Sequence, residues 1–490
     1  MYHEVWTKFS SKGLPVLVPT LGGRKEIFLP HRSIKWLLSQ PSDVLGMWEA
    51  FNEMFQLHHS LGDSKYMLDT WAVDVTRKAL SQELEEFIDP VREELELSID
   101  ELLGKDSDNW KTVDLMETTR MIINRSGGRF TVGLLCRDKA YLESAINSIE
   151  MIVSSAGALG FLPVFARALI GRLSAYSALK NLEKRCRGLL QERFDLVATN
   201  PHDKSKDPID LIQRMIRVAA VKRPEEMNLH AMNRRLIMAN LGFIYQVGFA
   251  ATNALRNILD SDEEYDTVEI LRAEAQRFED AAGGDPRKLW TKANIAQMFF
   301  ADSVARETMR THTVTNRAMV RQVMVDGVHT DTGLALPKGT LVSVVSQPMY
   351  TDENHFPNPN AFDPFRFVKL RDDDLKQQET QKPSQTDAIA DSTAKQVGGS
   401  WSPHALISTA NLLIFGRGRT SCPGRFLVDF QLKMLIHHLV LNYDIKLADT
   451  QAKSPTNGWL FEFLFPPKGV KILVKRRDKN NATLSKPVSI

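Results

Sequence analysis

The chain has 490 residues, of which 43% are hydrophobic and 25% charged, and a formal net charge of +2 at pH 7. This length allows a large core and suggests either two domains or one large fold. A net charge so close to zero argues against nucleic acid or a polyacidic molecule as the partner. The cysteines Cys136, Cys186 and Cys422 are too few and too scattered for a disulfide framework, which favours a reducing compartment.

The sequence contains no run of 18 or more uninterrupted apolar residues, which a membrane-spanning helix would need. Its N-terminal residues MYHEVWTKFSSKG have neither the apolar core of a signal peptide nor a membrane anchor. The chain as written is therefore expected to be soluble or peripheral.

The first part of the chain combines short strands with helices. Residues 16–18 and 26–30 are predicted to form strands of a β lobe, and residues 33–38 to begin the helical body. From 68 to 103 apolar residues recur at helical spacing with charges between them, which predicts two helices broken near Pro90.

An apolar stretch at 152–171 is interrupted by Pro163 and Arg167, so it would make a poor transmembrane helix. Its simplest interpretation is a buried connector. The polar stretch 372–399, rich in Asp, Gln, Thr and Ser, has no periodicity and is predicted to be a solvated surface insertion.

Glu307 and Arg310 lie three residues apart on a predicted helix, where the two side chains can share a face and pair. The same spacing recurs at Glu117 and Arg120, Glu269 and Arg272, and Glu274 and Arg277. The spacing alone therefore identifies no site. After Glu307 and Arg310 come predicted strands around turns, from 320 onward, and then the element FDPFRF at 362–367.

Residues 415–426, FGRGRTSCPGRF, present Cys422 from a glycine-rich loop that leads into an apolar helix. Apolar residues recur after Pro423 at spacings of three and four, which predicts a helix beginning near this proline. At its N-terminus the unpaired N–H groups and the helix dipole favour a thiolate, the form that nucleophiles and metal ligands need. Gly418 and Gly424 lack a Cβ atom, so a flat and bulky group can lie against the loop.

The order of Phe415, Gly418, Cys422 and Gly424 resembles the haem-binding loop of the cytochrome P-450 family. In that family the cysteine thiolate is the axial ligand of the iron of haem b. The family also places a Glu-x-x-Arg helix, a β segment and a Phe-x-Pro-x-Arg-Phe element before the loop, and here only Glu307 and Arg310 are followed by them. The resemblance implies a mostly α fold with a small β-rich lobe, forming one domain over 1–490 with its N-terminal membrane anchor absent or trimmed.

The resemblance also assigns roles to individual residues. Cys422 would be the metal ligand, and Glu307, Arg310 and Arg366 would form a structural, charge-assisted network under the haem loop. The residues expected to bind haem are Phe415, Gly418, Arg419, Cys422, Gly424, Arg321, Trp71 and Arg77. For Trp71, Arg77 and the neighbouring Lys78 a solvated basic face is an equal alternative. Thr420 stands where the family usually has an Arg or His that contacts a haem propionate.

On the opposite side of the haem the family has a long helix, and residues 234–259 fit it. Most members carry an acid or amide followed by threonine there, a pair that relays protons during dioxygen activation. One alignment puts Tyr245, Gln246 and Val247 at these positions, and a later register would use Thr252 and Asn253. The first alignment is favoured, so the usual threonine is expected to be absent; Gln246, Val247 and Thr252 are the catalytic candidates.

By resemblance the protein would be a haem-thiolate monooxygenase that oxidises an apolar substrate with dioxygen. Its electrons would come from NADPH through NADPH–cytochrome P-450 reductase. The residues expected to attract this reductase are Arg417, Arg419, Arg425 and Lys433. The alternative is that these four residues form a solvated basic face that binds no partner. The loop and the segment DLIQRMI look most like fungal members of secondary metabolism, which suggests a terpenoid or a polyketide as the substrate, with the terpenoid preferred. The alternatives are a haem-thiolate isomerase or dehydratase acting on an oxidised precursor, and a non-catalytic haem sensor.

The resemblance finally implies a location. Eukaryotic members of the family sit on the cytoplasmic face of the endoplasmic reticulum membrane, and 152–171 would be the segment that contacts the membrane surface. Without that association the protein would be cytoplasmic.

Overall fold

The computed structural model describes residues 1–20, 24–369, 412–449, 456–460 and 462–478. The predicted surface insertion at 372–399 lies outside these residues. Within them the chain is mostly helical with small sheets, which confirms the predicted fold class.

The helices of six or more residues are α1 (Tyr2–Lys8), α2 (Ile34–Ser39), α3 (Met47–Phe55), α4 (Trp71–Ser81), α5 (Leu84–Leu103), α6 (Leu115–Val132), α7 (Lys139–Gly160), α8 (Val164–Thr199), α9 (Leu211–Lys222), α10 (Leu229–Phe243), α11 (Tyr245–Asp260), α12 (Thr267–Ala282), α13 (Lys292–Gln297), α14 (Phe299–Thr311) and α15 (Arg425–Asn442). Shorter helical turns span Leu57–Ser60, Lys65–Leu68, Asp262–Tyr265, Pro286–Leu289 and Gln347–Tyr350.

The strands are β1 (Val16–Thr20), β2 (Arg24–Leu29), β3 (Leu45–Gly46), β4 (Lys111–Asp114), β5 (Arg317–Val323), β6 (Val328–His329), β7 (Ala335–Leu336), β8 (Leu341–Val345), β9 (Tyr443–Leu447), β10 (Gly458–Leu460), β11 (Phe463–Phe465) and β12 (Lys471–Arg476). The largest sheet has the order β1-β2-β8-β5-β3, and its β2 and β8 run parallel. Its apolar faces form a core separate from that of the helices. The strands predicted near 16–18 and 26–30 are confirmed as β1 and β2.

The predicted break near Pro90 is wrong. Pro90 lies inside α5, and the break between α4 and α5 falls at Gln82 and Glu83 instead. A proline in a helix interior costs about 3 kcal/mol. Phe87, Ile88 and their neighbours on the same face of α5 are buried, and this apolar packing outweighs the lost hydrogen bond.

The predicted connector at 152–171 is buried only in its first half: Ile152, Ala156 and Leu159 are buried, whereas Phe161, Phe165 and Leu169 are exposed. α7 ends at Gly160 and Pro163 caps the start of α8, so the apolar residues around this corner turn outwards. Phe161 is 68% exposed and Phe165 is 86% exposed. Among the described residues, no helix combines the length and the apolar character needed to cross a membrane.

The long helix predicted at 234–259 is two helices, α10 and α11, separated at Ile244. The N–H of Ile244 still donates to the carbonyl of Asn240 at 2.9 Å, so the interruption is confined to one residue. α11 packs against α6 and α14, and α15 packs against α5, α12 and α14. This arrangement brings the middle of the α10–α11 segment close to the start of α15.

Candidate active site around Cys422

The loop before α15 is held in shape by its own backbone. Gly416 and Gly418 have φ angles of 65° and 70°, a left-handed conformation that glycine adopts without strain. The N–H of Cys422 donates to the carbonyl of Phe415 at 2.8 Å and closes the loop. α15 begins at Arg425, with Gly424 as its N-cap, two residues later than the predicted start at Pro423.

The Cys422 side chain is exposed, yet burial raises the pKa of its thiol. Hydrogen bonds from the backbone N–H groups of Gly424 and Arg425, and the charge of Arg425, act in the opposite direction without overcoming burial. The N–H groups at the helix start thus act towards the thiolate, and burial has the larger effect on the pKa of the thiol. An exposed side chain whose sulfur is also desolvated borders a space enclosed by protein. A cation bound to the sulfur would drive its deprotonation.

The end of α10 lies directly beside this sulfur. A Cβ atom added to Gly424 would sit 3.3 Å from Cε1 of Phe243 and 3.5 Å from Sγ of Cys422. The first distance is tighter than ordinary contact between carbon atoms, so a larger residue at 424 would displace one of these groups. Glycine at this position keeps the thiol accessible.

One face of the α10–α11 segment borders open space. Gly242 and Gln246 are exposed and lie four residues apart, so they share a helix face. Their neighbours Phe243, Ile244 and Val247 are buried. An exposed pair within a largely buried segment leaves open space against this face, and a Cβ atom added to Gly242 would meet nothing within 4 Å.

The three catalytic candidates therefore lie in different surroundings. Gln246 is exposed at the open face, whereas Val247 is buried in the helical core. The Thr252 hydroxyl lies 2.6 Å from the Thr119 hydroxyl of α6 and donates to the Gly248 carbonyl at 2.7 Å. The hydrogen-bonding capacity of Thr252 is thus engaged in the packing of α11 against α6.

Arg321 lies against the cysteine loop. Its Nη2 donates to the hydroxyl of Thr420 at 2.6 Å and its Nη1 to the carbonyl of Val320 at 2.8 Å. The side chain is buried, and burial lowers the pKa of Arg321 to about 10. No carboxylate pairs with it among the described residues. A buried guanidinium without an anion, next to the loop that carries Cys422, fits the carboxylate group of a cofactor.

Trp71 and Arg77, also predicted to bind haem, each contact another residue of the protein. Trp71 is buried and its ring lies 5.2 Å from the guanidinium of Arg235. Arg77 is exposed and pairs with Asp74 at 2.6 Å. Arg419 is exposed on the turn Gly418–Thr420. Arg321 thus reaches the loop through a direct hydrogen bond, and among the described residues no such bond joins Trp71 or Arg77 to the loop.

Glu307, Arg310 and Arg366 meet in a buried network. The Glu307 carboxylate accepts from Nη2 and Nε of Arg310 at 2.7 and 2.8 Å and from Nε of Arg366 at 3.0 Å. The side chains of Glu307 and Arg310 are fully buried. Both arginines also donate to backbone carbonyls, among them Tyr350 at 2.6 Å from Arg310 and Ala361 at 3.1 Å from Arg366. The network ties α14 to the segment 350–366.

Tyr350 connects this network to the cysteine loop, and no sequence pattern singled it out. Its carbonyl accepts from Arg310, and its hydroxyl accepts the N–H of Leu413 at 2.8 Å. Leu413 lies two residues before Phe415, whose carbonyl receives the N–H of Cys422. Tyr350 is completely buried, and burial raises the pKa of its hydroxyl.

Lys433 does not belong to an exposed basic face, contrary to the prediction. Its side chain is 1% exposed and pairs with Asp429 at 3.0 Å, and its Nζ donates to the Ile295 carbonyl at 2.7 Å. Lys433 lies on the buried side of α15 because the helix packs against α12 and α14. Arg417, Arg419 and Arg425 are each at least partly exposed.

The residues present fit a haem group. An accessible thiol lies in a glycine cradle with two backbone N–H donors at its sulfur. A buried arginine without an acid adjoins the same loop, and an open helix face lies nearby. These features supply a soft ligand for iron and a cation for a carboxylate.

Comparison with known proteins gives a consistent result. The family model of cytochrome P-450 matches residues 75–474. The cytochrome P-450 monooxygenase pbrC of Penicillium brasilianum is 37% identical over 486 residues, which cover 97% of this chain and 87% of that protein. The cytochrome P-450 monooxygenase astC of Aspergillus terreus is also 37% identical, over 97% of this chain and 87% of its own length. The monooxygenase tenB of Beauveria bassiana is 36% identical, over 97% of this chain and 86% of its own length.

Proposed function

Because the chain belongs to the cytochrome P-450 family and is a P-450 monooxygenase, we propose that it oxidises an apolar secondary metabolite, with a terpenoid as the expected class. The fungal relatives support a role in secondary metabolism. The terpenoid assignment rests on the resemblance of the loop and of DLIQRMI to fungal members. Electrons would come from NADPH through a reductase.

Cys422 is proposed as the axial ligand of haem b. The observation that supports this assignment is the environment of its sulfur atom. The sulfur is accessible, desolvated and faced by two backbone N–H groups. Bound haem would supply the dioxygen chemistry of the family, which the thiolate promotes by donating electron density. Phe415, Gly418 and Gly424 would shape the cradle, and Arg321, held by Thr420, would pair with a propionate.

The open face of the α10–α11 segment is proposed to control water and protons. The exposed Gln246 amide can donate to and accept from a water molecule, whereas the buried Val247 can do neither. Protons would therefore reach the reacting oxygen through water that Gln246 holds or through the substrate. Glu307, Arg310 and Arg366 would act as scaffold, because their polar groups are occupied by one another and by the backbone.

We also propose where the partners bind. Arg417, Arg419 and Arg425 would attract an acidic reductase to the cysteine side, and Lys433 would not take part. The exposed apolar corner between α7 and α8, with Phe161 and Phe165, would rest on the endoplasmic reticulum membrane, since large exposed apolar side chains at one place mark an interaction surface.

The decisive experiment compares wild type with Cys422→Ala. The reduced, carbon monoxide-bound wild type should show the red-shifted band of thiolate ligation, and the variant should lose it because no other sulfur lies in the loop. Wild type supplied with NADPH and reductase should oxidise members of a terpenoid panel. An unchanged thiolate band in Cys422→Ala would refute the ligand assignment, and oxidation of polyketides alone would refute the substrate class.

A further inference from the structure

A cleft of about 410 Å³ lies outside the site described above. It is bounded by α8, by the start of α10 and by the chain around the short helix Lys65–Leu68. Its cationic lining residues are Lys65, Arg172 and Arg234, and its acidic one is Asp63. The cleft therefore carries an excess of positive charge.

Arg234 is the unusual member of this group. It is 8% exposed, and its Nε and Nη1 are buried without a hydrogen-bond partner among the described residues. No carboxylate there lies within ion-pair distance of it. Glu183 acts on it only at longer range and lies instead 3.6 Å from Lys180 and 3.8 Å from His230. Burial lowers the pKa of Arg234, and the charge of Glu183 offsets this effect only in part.

The next residue in the chain shows what the fold provides for a buried arginine. Arg235 donates from Nε and Nη2 to the Glu226 carboxylate at 2.9 and 2.7 Å, and from Nη1 to the Asp69 carbonyl at 2.8 Å. Both adjacent arginines are thus buried, Arg235 more deeply than Arg234, and only Arg235 pairs with an acid. A buried charge without a partner destabilises the fold. An anion that binds from solution would therefore compensate the charge of the Arg234 guanidinium.

The rest of the cleft suits such an anion. Lys65 and Arg172 also have no ion pair among the described residues, and Asp63 accepts the backbone N–H of Lys65 at 2.8 Å. Leu61 and Leu179 contribute an apolar wall. Cationic and apolar side chains that line one cleft match a molecule that has a charged head and an apolar body.

We propose that this cleft binds an amphipathic oxyanion, with a carboxylate or phosphate head on the Arg234 guanidinium and an apolar body against Leu61 and Leu179. The guanidinium offers adjacent N–H donors in a fixed plane, which matches two oxygens of one carboxylate or phosphate. The site is separate from the proposed haem chemistry, so binding can be measured without turnover.

The test uses haem-loaded protein and titration calorimetry with decanoate, decyl phosphate and the neutral decanol. Arg234→Gln is compared with Arg187→Gln, which removes an exposed arginine of α8 outside the cleft. Decanoate or decyl phosphate should bind wild type and Arg187→Gln equally, and Arg234→Gln about 10- to 100-fold more weakly. Decanol should not distinguish the variants. Equal binding of the anions by Arg234→Gln would overturn the proposal.

Vesicles identify the source of the oxyanion. If phosphatidylcholine vesicles gain affinity on addition of phosphatidylserine, and Arg234→Gln loses that gain, the head belongs to a membrane lipid. If decanoate or decyl phosphate alone shows the Arg234 dependence, the ligand is a soluble molecule.

Thermal unfolding without ligand excludes a purely structural role. Arg234→Gln should melt at or above the wild-type temperature because it removes an uncompensated buried charge. Arg235→Gln should melt lower because it leaves Glu226 without its partner. A loss in Arg234→Gln as large as that in Arg235→Gln would assign Arg234 to the scaffold and overturn the proposal.

Discussion

The Glu307 network on the cysteine side and helix α10 on the opposite side differ in how completely the chain satisfies their polar groups. On the cysteine side, Glu307, Arg310 and Arg366 bond to one another and to backbone carbonyls. On the α10–α11 side, both side-chain polar atoms of Asn233 and Oδ1 of Asn240 are buried without a hydrogen-bond partner among the described residues. The helix is also interrupted there, at Ile244.

This difference separates two kinds of task. A metal ligand must be held in one geometry, and a saturated network of buried charges leaves the cysteine loop few alternatives. The opposite side must admit substrate, dioxygen and water. The exposed Gln246 amide leaves hydrogen-bonding capacity there for molecules that come from outside.

The largest expected effect comes from breaking the saturated side. Glu307→Ala leaves two buried arginines without their carboxylate and should lower the free energy of unfolding by about 3–5 kcal/mol. Asp74→Ala is the matched control, because Asp74 and Arg77 have the same spacing of three residues but are exposed, and it should change little. Urea unfolding and haem content measure both. Wild-type stability and full haem content in Glu307→Ala would show that the network is not the scaffold.

An intermediate effect is expected from two buried tyrosines, one on each side. Tyr350→Phe leaves the N–H of Leu413 without an acceptor, and Tyr141→Phe does the same to the amide of Asn240, so each should cost about 1–3 kcal/mol. Only Tyr350→Phe should also lower haem content and weaken the thiolate band, since it alone adjoins the cysteine loop. Equal haem content in the two variants would show that the link through Tyr350 does not position the loop.

The smallest effect on stability, and the sharpest on chemistry, is expected at the open helix face. Gln246→Ala should lower product formed per NADPH and release more hydrogen peroxide, because the variant lacks the amide that is proposed to hold a water molecule. Thr252→Val should leave this ratio unchanged and cost only some stability, since its hydroxyl bonds to Thr119 and Gly248. The reverse pattern, with Thr252→Val uncoupled and Gln246→Ala unaffected, would place the proton relay at Thr252.

Local sequence determined the features that depend on short spacing. The glycines around Cys422 specify the loop because few other residues adopt its left-handed turns, and α15 follows from apolar residues at helical spacing. The order of the Glu-x-x-Arg helix, the strands, FDPFRF and the loop was enough to select Glu307 and Arg310 from four pairs of equal spacing.

Tertiary packing decided the rest, because the side chains involved meet across long stretches of sequence. The sequence predicts an exposed cation at Lys433, but the neighbouring helices bury this side chain. It also predicts a helix break at Pro90, but this residue lies inside α5. Tyr350 and Leu413 are 63 residues apart and pair only in the folded chain. Arg234 and Arg235 are adjacent and chemically identical, but of the two only Arg235 lies within hydrogen-bonding distance of Glu226. Desolvation and charge pairing depend on neighbours in space, and spacing along the chain does not specify these neighbours.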